Sequence, residues 1–214
     1  MLWGEGIKKR NSLLGEQVVK NLKSINIDAY FVSSKEEALK KALEIIPQES
    51  SISWGGSVSI ESIGLKEAVR NGNYKVLDRE KAKTLEEKHE IMHQALSSDF
   101  FLTSCNAISE DGVLVNIDGV ANRLAAICYG PKHVLMIVGI NKVVKSVEDA
   151  ISRARNIAAP INAQRFDINT PCKKTGCCYD CKSLDTICCQ LLITRYSKIK
   201  SRIILILVDD NIGY

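Results

Sequence analysis

The chain reads as an α/β protein with a largely parallel sheet and helices on both of its faces. Three observations lead there. Short apolar runs of strand length recur along the chain, separated by amphipathic segments of ten or more residues, which is the length a crossover between parallel strands requires. Capping-box spacings mark helix starts at Ser34 to Glu37 and at Ser146 to Asp149. Between them, residues 100–141 pack several apolar runs and an Asp111-Gly112 turn into one compact piece.

Taken in order, Ile7, Leu14, Val18, Leu22 and Ile25 recur at roughly helical spacing among Lys, Arg and Glu, predicting an amphipathic helix over 5–25. Ala29 to Val32 is a short strand, and the helix opened by Ser34 ends before Pro47 with Ala38, Leu39, Ala42, Leu43 and Ile46 inward. Ser51 to Trp54 is a strand running into Gly55-Gly56-Ser57, and the next helix carries Glu61 and ends near Asn71-Gly72. Tyr74 to Leu77 is a strand. A charged helix then spans about 80–96 with Leu85, Ile91, Met92 and Ala95 inward.

In the central stretch Phe100 to Thr103, Leu124 to Ile127 and Val134 to Val138 have strand length, and Val113 to Ile117 follow the turn as the second arm of a hairpin. Ser146 opens a helix to about Asn156, limited or kinked by Pro160. A cysteine-rich segment, a short helix near 183–196 and a closing strand over 202–208 complete the chain. At 214 residues this is one domain, 1–214, with the cysteine-rich segment 170–190 inside it.

Composition excludes several classes. Hydrophobic residues make up 45% and charged residues 25%, which rules out wholesale disorder. The net charge of +4 is spread among acids without a basic block, so nucleic acid is not an expected partner. The longest late apolar run, Ile203 to Val208, is too short to span a bilayer. The first residues carry no continuous apolar core of a signal peptide, so a cytoplasmic location is expected.

Two groups of residues carry chemical interest. Gly55 and Gly56 let backbone approach a ligand, with Ser57 at a helix start, and Glu61 lies one helical turn further on, where its carboxylate could act as general base or nucleophile. Asn106, Asp118, Asn122, Arg123 and Lys132 sit around the apolar runs of the central stretch, where α/β sheets place their binding loops. Both groups are expected on one cleft for a small anionic metabolite. The same letters also serve simple turns, because Asn, Asp, Ser and Gly cap their own backbone. His89-Glu90 with His93 spells a metalloprotease pattern, but no third ligand follows and two solvated helix residues account for it.

Six of the eight cysteines fall between Cys172 and Cys189. Cys178 and Cys181 form a C-x-x-C pair, with Cys172 and Cys188 close enough in sequence to complete four thiolates around zinc or an iron-sulfur centre. Redox-active thiols and plain reduced cysteines remain alternatives, while Cys105 and Cys128 read as small core residues.

The motifs WGGSVSIESIGL, LTSCNAISEDGVLVNIDGVANRLAAICYGPKHVLMIVGINKVV, RARNIAAPINAQRF and TPC...CYDC...IC, in that order over nearly the whole chain, resemble the LUD-domain family of lactate-utilisation proteins, in its short form (C type) without a ferredoxin-like domain. The resemblance implies a three-layer α/β/α sandwich like that of the NagB, ribose-phosphate isomerase and CoA-transferase superfamily. It implies a role beside iron-sulfur protein partners in oxidising L-lactate to pyruvate, with Cys172, Cys178, Cys181 and Cys188 matching the family's cysteine pattern. A stand-alone enzyme of CoA-transferase or sugar-phosphate type using Glu61, or a metal- or redox-sensing binding module, is the alternative. Ala121 stands where that family commonly has glycine before Asn122-Arg123.

Overall fold

A computed structural model describes residues 3–214. In chain order its elements are α1 (Trp3–Ser24), β1 (Asp28–Val32), α2 (Lys35–Ile45), β2 (Ser51–Trp54), α3 (Val58–Ser62), α4 (Leu65–Asn71), β3 (Lys75–Leu77) and α5 (Leu85–Gln94). There follow β4 (Phe100–Thr103), β5 (Ala107–Ser109), β6 (Leu114–Asp118), α6 (Asn122–Cys128), β7 (His133–Gly139), β8 (Val143–Val144), α7 (Val147–Arg153), α8 (Ala159–Ala163), α9 (Pro171–Thr175), β9 (Gln190–Thr194) and β10 (Ile203–Val208).

Six strands form one sheet in the order β1-β10-β7-β4-β2-β3, and every neighbouring pair is parallel. Alternation along β10 shows how its faces are covered. Ile204, Ile206 and Val208 pack with Ala38 and Ala42 of α2 and with Ile60, Leu65 and Val69 of α3 and α4. Ile203, Leu205 and Leu207 pack on the other face with Val18 and Leu22 of α1. Period-2 alternation in the strands meeting apolar helix stripes on both sides is what makes three layers here. At about 25 cal/mol per Å2, each fully buried Leu or Ile in this sandwich contributes about 2 kcal/mol.

The second face carries a further layer that the sequence did not disclose. Strands β8-β5-β6-β9 form a small mixed sheet, in which β6 runs antiparallel to both β5 and β9 while β8 is parallel to β5. The Asp111-Gly112 hairpin therefore feeds this second sheet rather than the main one. Its Ile108 and Leu114 share a core with Val134, Met136 and Val138 of β7, so the two sheets are packed together.

Four local readings are corrected. Leu124 to Ile127 is helical, because the preceding Ala121 takes a left-handed conformation (φ 60) that starts α6. The segment 183–196 is a turn followed by β9, whose backbone pairs with β6 from Leu114↔Thr194 to Asp118↔Gln190. The single helix expected after Ser57 breaks into α3 and α4 at Gly64, which has φ 72. In the charged segment the helix starts only at Leu85, capped by Thr84 accepting from the Glu87 amide, and Leu85 is 61% exposed instead of inward.

Pro160 does not end its helix. The turn before it widens into a π segment over Ala154–Ala158, and the helix resumes as α8 with Pro160 in its first turn, where a missing N-H matters little. Cys105 is buried in the core, but Cys128 is exposed at the end of α6. Among the described residues, no helix is long and apolar enough to cross a membrane.

Candidate functional site

The parallel strands of the main sheet end on one side of the molecule, and a cleft of about 720 Å3 opens there. Open α/β sheets bind ligands outside the carboxyl ends of their strands, and this cleft follows the rule. Gly56 and Ser57 reach it from the end of β2, Arg79 from β3, Ser104 and Asn106 from β4, and Lys142 from β7. The tail after β10 folds back so that Gly213 and Tyr214 also line it.

Most of the expected residues meet here. Gly56, Ser57, Asn106, Asp118, Asn122 and Arg123 all line the cleft. Gly55 lies just behind, where a side chain would come within 3.3 Å of the Arg123 stem. Two residues do not join them. Lys132 is at the opposite end of β7, 73% exposed and 2.7 Å from Asp99. Glu61 is outside the lining because Lys66, buried beneath it, draws its carboxylate to 2.5 Å. A general base or nucleophile at Glu61 is not what this geometry offers.

The polar residues of the cleft divide into a satisfied group and an unsatisfied one. Arg123 donates through Nη2 to Asp118 (2.6 Å), to the Asn106 side-chain oxygen (2.8 Å) and to the Ile117 carbonyl (2.9 Å), and through Nε to Asp118 (2.9 Å). The second Asp118 oxygen accepts from the Leu124 amide at 3.1 Å, fixing the start of α6 against the end of β6. Asn106, Asp118 and Arg123 thus hold one another and make a rigid wall. Left-handed Ala121 allows the tight turn that brings Asp118 and Arg123 face to face.

Arg79 belongs to the other group. Among the described residues its side chain makes one hydrogen bond, from Nη1 to the Met92 sulfur at 3.6 Å, and has no carboxylate within ion-pair distance. Burial lowers its pKa, and the charges of Glu80 and Asp118, which pull upward, do not restore it against Arg123 and Arg165. The neighbouring Glu80 is itself committed. Burial works to raise its pKa, but bonds from Lys66 (2.5 Å) and Arg70 (2.8 Å) hold it below the usual carboxylate range.

Lys142 is a buried ammonium with no carboxylate partner among the described residues. It donates to Ser59 Oγ (2.9 Å), Ser104 Oγ (3.0 Å) and the Cys105 carbonyl (3.2 Å). Burial pulls its pKa down to about 8, the Cys105 thiol opposes this, and repulsion from Arg153 and Arg123 adds to it. Arg153 is also buried and donates to backbone carbonyls of Asn141 and Asn106 rather than to a carboxylate. In the same cleft wall Ser57 is 4% exposed, and its buried hydroxyl has no hydrogen-bond partner among the described residues. A buried donor without a partner costs about 1–3 kcal/mol, so a ligand oxygen is its natural complement.

A pH dependence follows from Lys142. The unfolded chain keeps this proton up to the ordinary value of 10.5, whereas the folded protein releases it near 8. Between those values the unfolded state binds more protons at this site, so Lys142 contributes a rise of stability with pH, by about 3 kcal/mol across the window. Burial raises the Cys105 and Cys188 thiols above their ordinary value of 9.0, and their contribution runs the other way at the alkaline end. The change in urea-unfolding stability from pH 7.5 to pH 10 is therefore expected to be more favourable in the wild type than in Lys142→Met, by about 2–3 kcal/mol. Equal changes in the two proteins contradict the assignment.

The cysteine-rich segment forms part of the cleft wall. Ile187 lines the cleft against Gly119, and the Cys189 amide donates to the Asp118 carbonyl at 2.8 Å. All the cysteines are free thiols. Cys188 is pushed up to about 11, first by burial and then by the charges of Cys178, Cys172, Cys181 and Cys189, so these five sulfurs share one neighbourhood. As the side chains stand, no three His, Cys, Asp or Glu among the described residues are drawn up around a single metal position. Thr170 and Thr186 hydroxyls contact the Cys172 and Cys181 sulfurs instead.

Arg79 and Lys142 were not singled out from sequence. Each follows a strand of the parallel sheet, at its carboxyl end, and that position is the one signal by which they could have been found.

Residues 15–208 match the family model described as LUD domain. The chain is similar in structure to a DUF162 family protein from Deinococcus radiodurans, with a TM-score of 0.54 and 16% identity over 92% of this chain and 98% of that one. A weaker likeness, with a TM-score of 0.35 and 14% identity over 64% of this chain and 58% of that one, is to eIF2B delta from Chaetomium thermophilum. No curated protein matches the sequence significantly.

Proposed function

The chain belongs to the LUD-domain family, and from that premise we propose that it is a subunit or accessory protein of an iron-sulfur system that oxidises L-lactate to pyruvate, contributing a cleft that binds a small anionic metabolite. The observation that carries the anion is the set of cleft cations without carboxylate partners, Arg79 and Lys142, beside the unpartnered hydroxyl of Ser57. A guanidinium with free N-H groups suits a carboxylate, which it can grip with two parallel bonds. Arg123, neutralised by Asp118, shapes the wall and leaves charge recognition to the others.

In this reading Cys172, Cys178, Cys181 and Cys188 would hold the metal or cluster. What supports it is an all-thiol donor set within one short segment, residues 172–189, a chemistry that selects soft metals. Bound there, an iron-sulfur group would take up and pass on single electrons. The part this chain plays is then to bring a partner's electron path within reach of the cleft, since the cysteine segment and the cleft share Ile187 and the Asp118 to Cys189 bond.

Two measurements test the proposal. Pyruvate or L-lactate is expected to bind the isolated chain in a titration that Arg79→Met abolishes. Anaerobic purification is expected to yield protein with iron and sulfide, lost when Cys178 and Cys181 are both replaced by Ser. Protein that is free of iron, sulfide and zinc under anaerobic handling would remove the cysteine half of the proposal and leave the cleft half standing.

A further inference from the structure

The cleft is larger and more cationic than a three-carbon monoanion needs. Its volume of about 720 Å3 lies within the range of sites that take drug-sized ligands. Arg79 and Lys142 lack carboxylate partners, and Arg165 at the rim bonds only neutral groups, the Tyr214 hydroxyl at 3.0 Å and the Asn162 side-chain oxygen at 3.5 Å. One carboxylate would neutralise one of these three cations. A phosphate monoester carries about −1.5 to −2 at neutral pH and offers three strong acceptor oxygens.

Placement agrees with charge. Arg79 Nη2 lies against Gly56, where a Cβ would be 3.3 Å away, so the guanidinium and the buried, unpartnered Ser57 hydroxyl flank the same short stretch of backbone. Both residues belong to one wall of the cleft. The opposite character is also present, because Leu85, Met92, Phe166 and Ile187 line the cleft, with Leu85 61% and Phe166 43% exposed. Exposed apolar side chains beside a cationic wall fit a ligand with an organic body and a phosphate end.

Resting on the anion-cleft reading above, we propose that the Arg79 and Ser57 wall is a phosphate subsite, and that this cleft prefers a phosphorylated metabolite to lactate or pyruvate, which it binds more weakly. Ser57 donates to one phosphate oxygen, Arg79 to two, and Lys142 supplies the charge beneath.

The test compares pairs that differ only in the phosphate. Phosphoenolpyruvate against pyruvate, and glycerol 3-phosphate against glycerol, are titrated calorimetrically into the full chain. The phosphorylated member of each pair is expected to bind at least tenfold more tightly. Ser57→Ala, whose hydroxyl has no partner among the described residues to lose, is expected to fold normally and to weaken the phosphorylated ligands about tenfold. If pyruvate binds as tightly as phosphoenolpyruvate and depends on Arg79, the phosphate subsite is wrong and the anion cleft stands. If none of the four saturates at millimolar concentration, both fall.

Discussion

Replacing Arg79 by Met is expected to weaken anion binding about 100-fold without lowering the melting temperature, because the hydrogen bonds lost are charge-assisted ones worth about 1.5–3 kcal/mol. The two halves of this expectation have one cause. Arg79 is half-buried with a single weak bond to sulfur, so the fold bears the cost of desolvating a cation and receives no ion pair in return. Methionine fills the same space beside Met92 without that cost. Such a pattern, binding lost and stability kept or raised, is what distinguishes a group held ready for a ligand from one that holds the fold. A melting temperature that drops by more than a few degrees would place Arg79 among the structural residues.

Arg123 is expected to behave in the opposite way. Arg123→Met removes bonds to Asp118, Asn106 and the Ile117 carbonyl and leaves the Asp118 carboxylate, itself only 12% exposed, without its cation. Breaking a buried pair from one side costs about 3–5 kcal/mol, so the urea midpoint should fall steeply. Asp118→Asn in the same background should recover part of the loss, since the stranded charge is what makes the single variant so costly. A loss below about 1 kcal/mol in Arg123→Met would mean that water screens this pair and that the wall is not rigid. Two arginines on one cleft, equally prominent as letters, thus separate by what already holds them.

That separation marks where sequence reasoning stops. The main sheet was legible because β2, β4, β7 and β10 are apolar runs between helices with clear caps at Ser34 and Ser146, and both caps are present as expected. The second sheet was not, because Val143–Val144 and Ala107–Ser109 are too short to show an alternating pattern. The four-residue run Leu124 to Ile127 satisfies strand and helix equally, and the deciding feature is a left-handed alanine that no periodicity reveals.

Gly56, Ser57, Asn106, Asp118, Asn122 and Arg123 were singled out as polar or glycine residues of strand-end loops, and the fold brings them to one cleft. Glu61 misled for a definite reason. One helical turn from Ser57 is the same face only on a helix long enough to hold it, and α3 is five residues that end beside Lys66. Arg79 and Lys142 owe their interest to the lack of a carboxylate at ion-pair distance among the described residues, which is a property of the folded molecule and of no local pattern.

If the cleft cations are held for an oxyanion, one can be seen there directly, because the selenium of selenate soaked into crystals scatters anomalously. An anomalous peak is expected inside the cleft, with oxygens within hydrogen-bond distance of the Arg79 guanidinium and the Ser57 hydroxyl, absent in Arg79→Met. Peaks confined to surface lysines, with the cleft empty at full occupancy elsewhere, would contradict it.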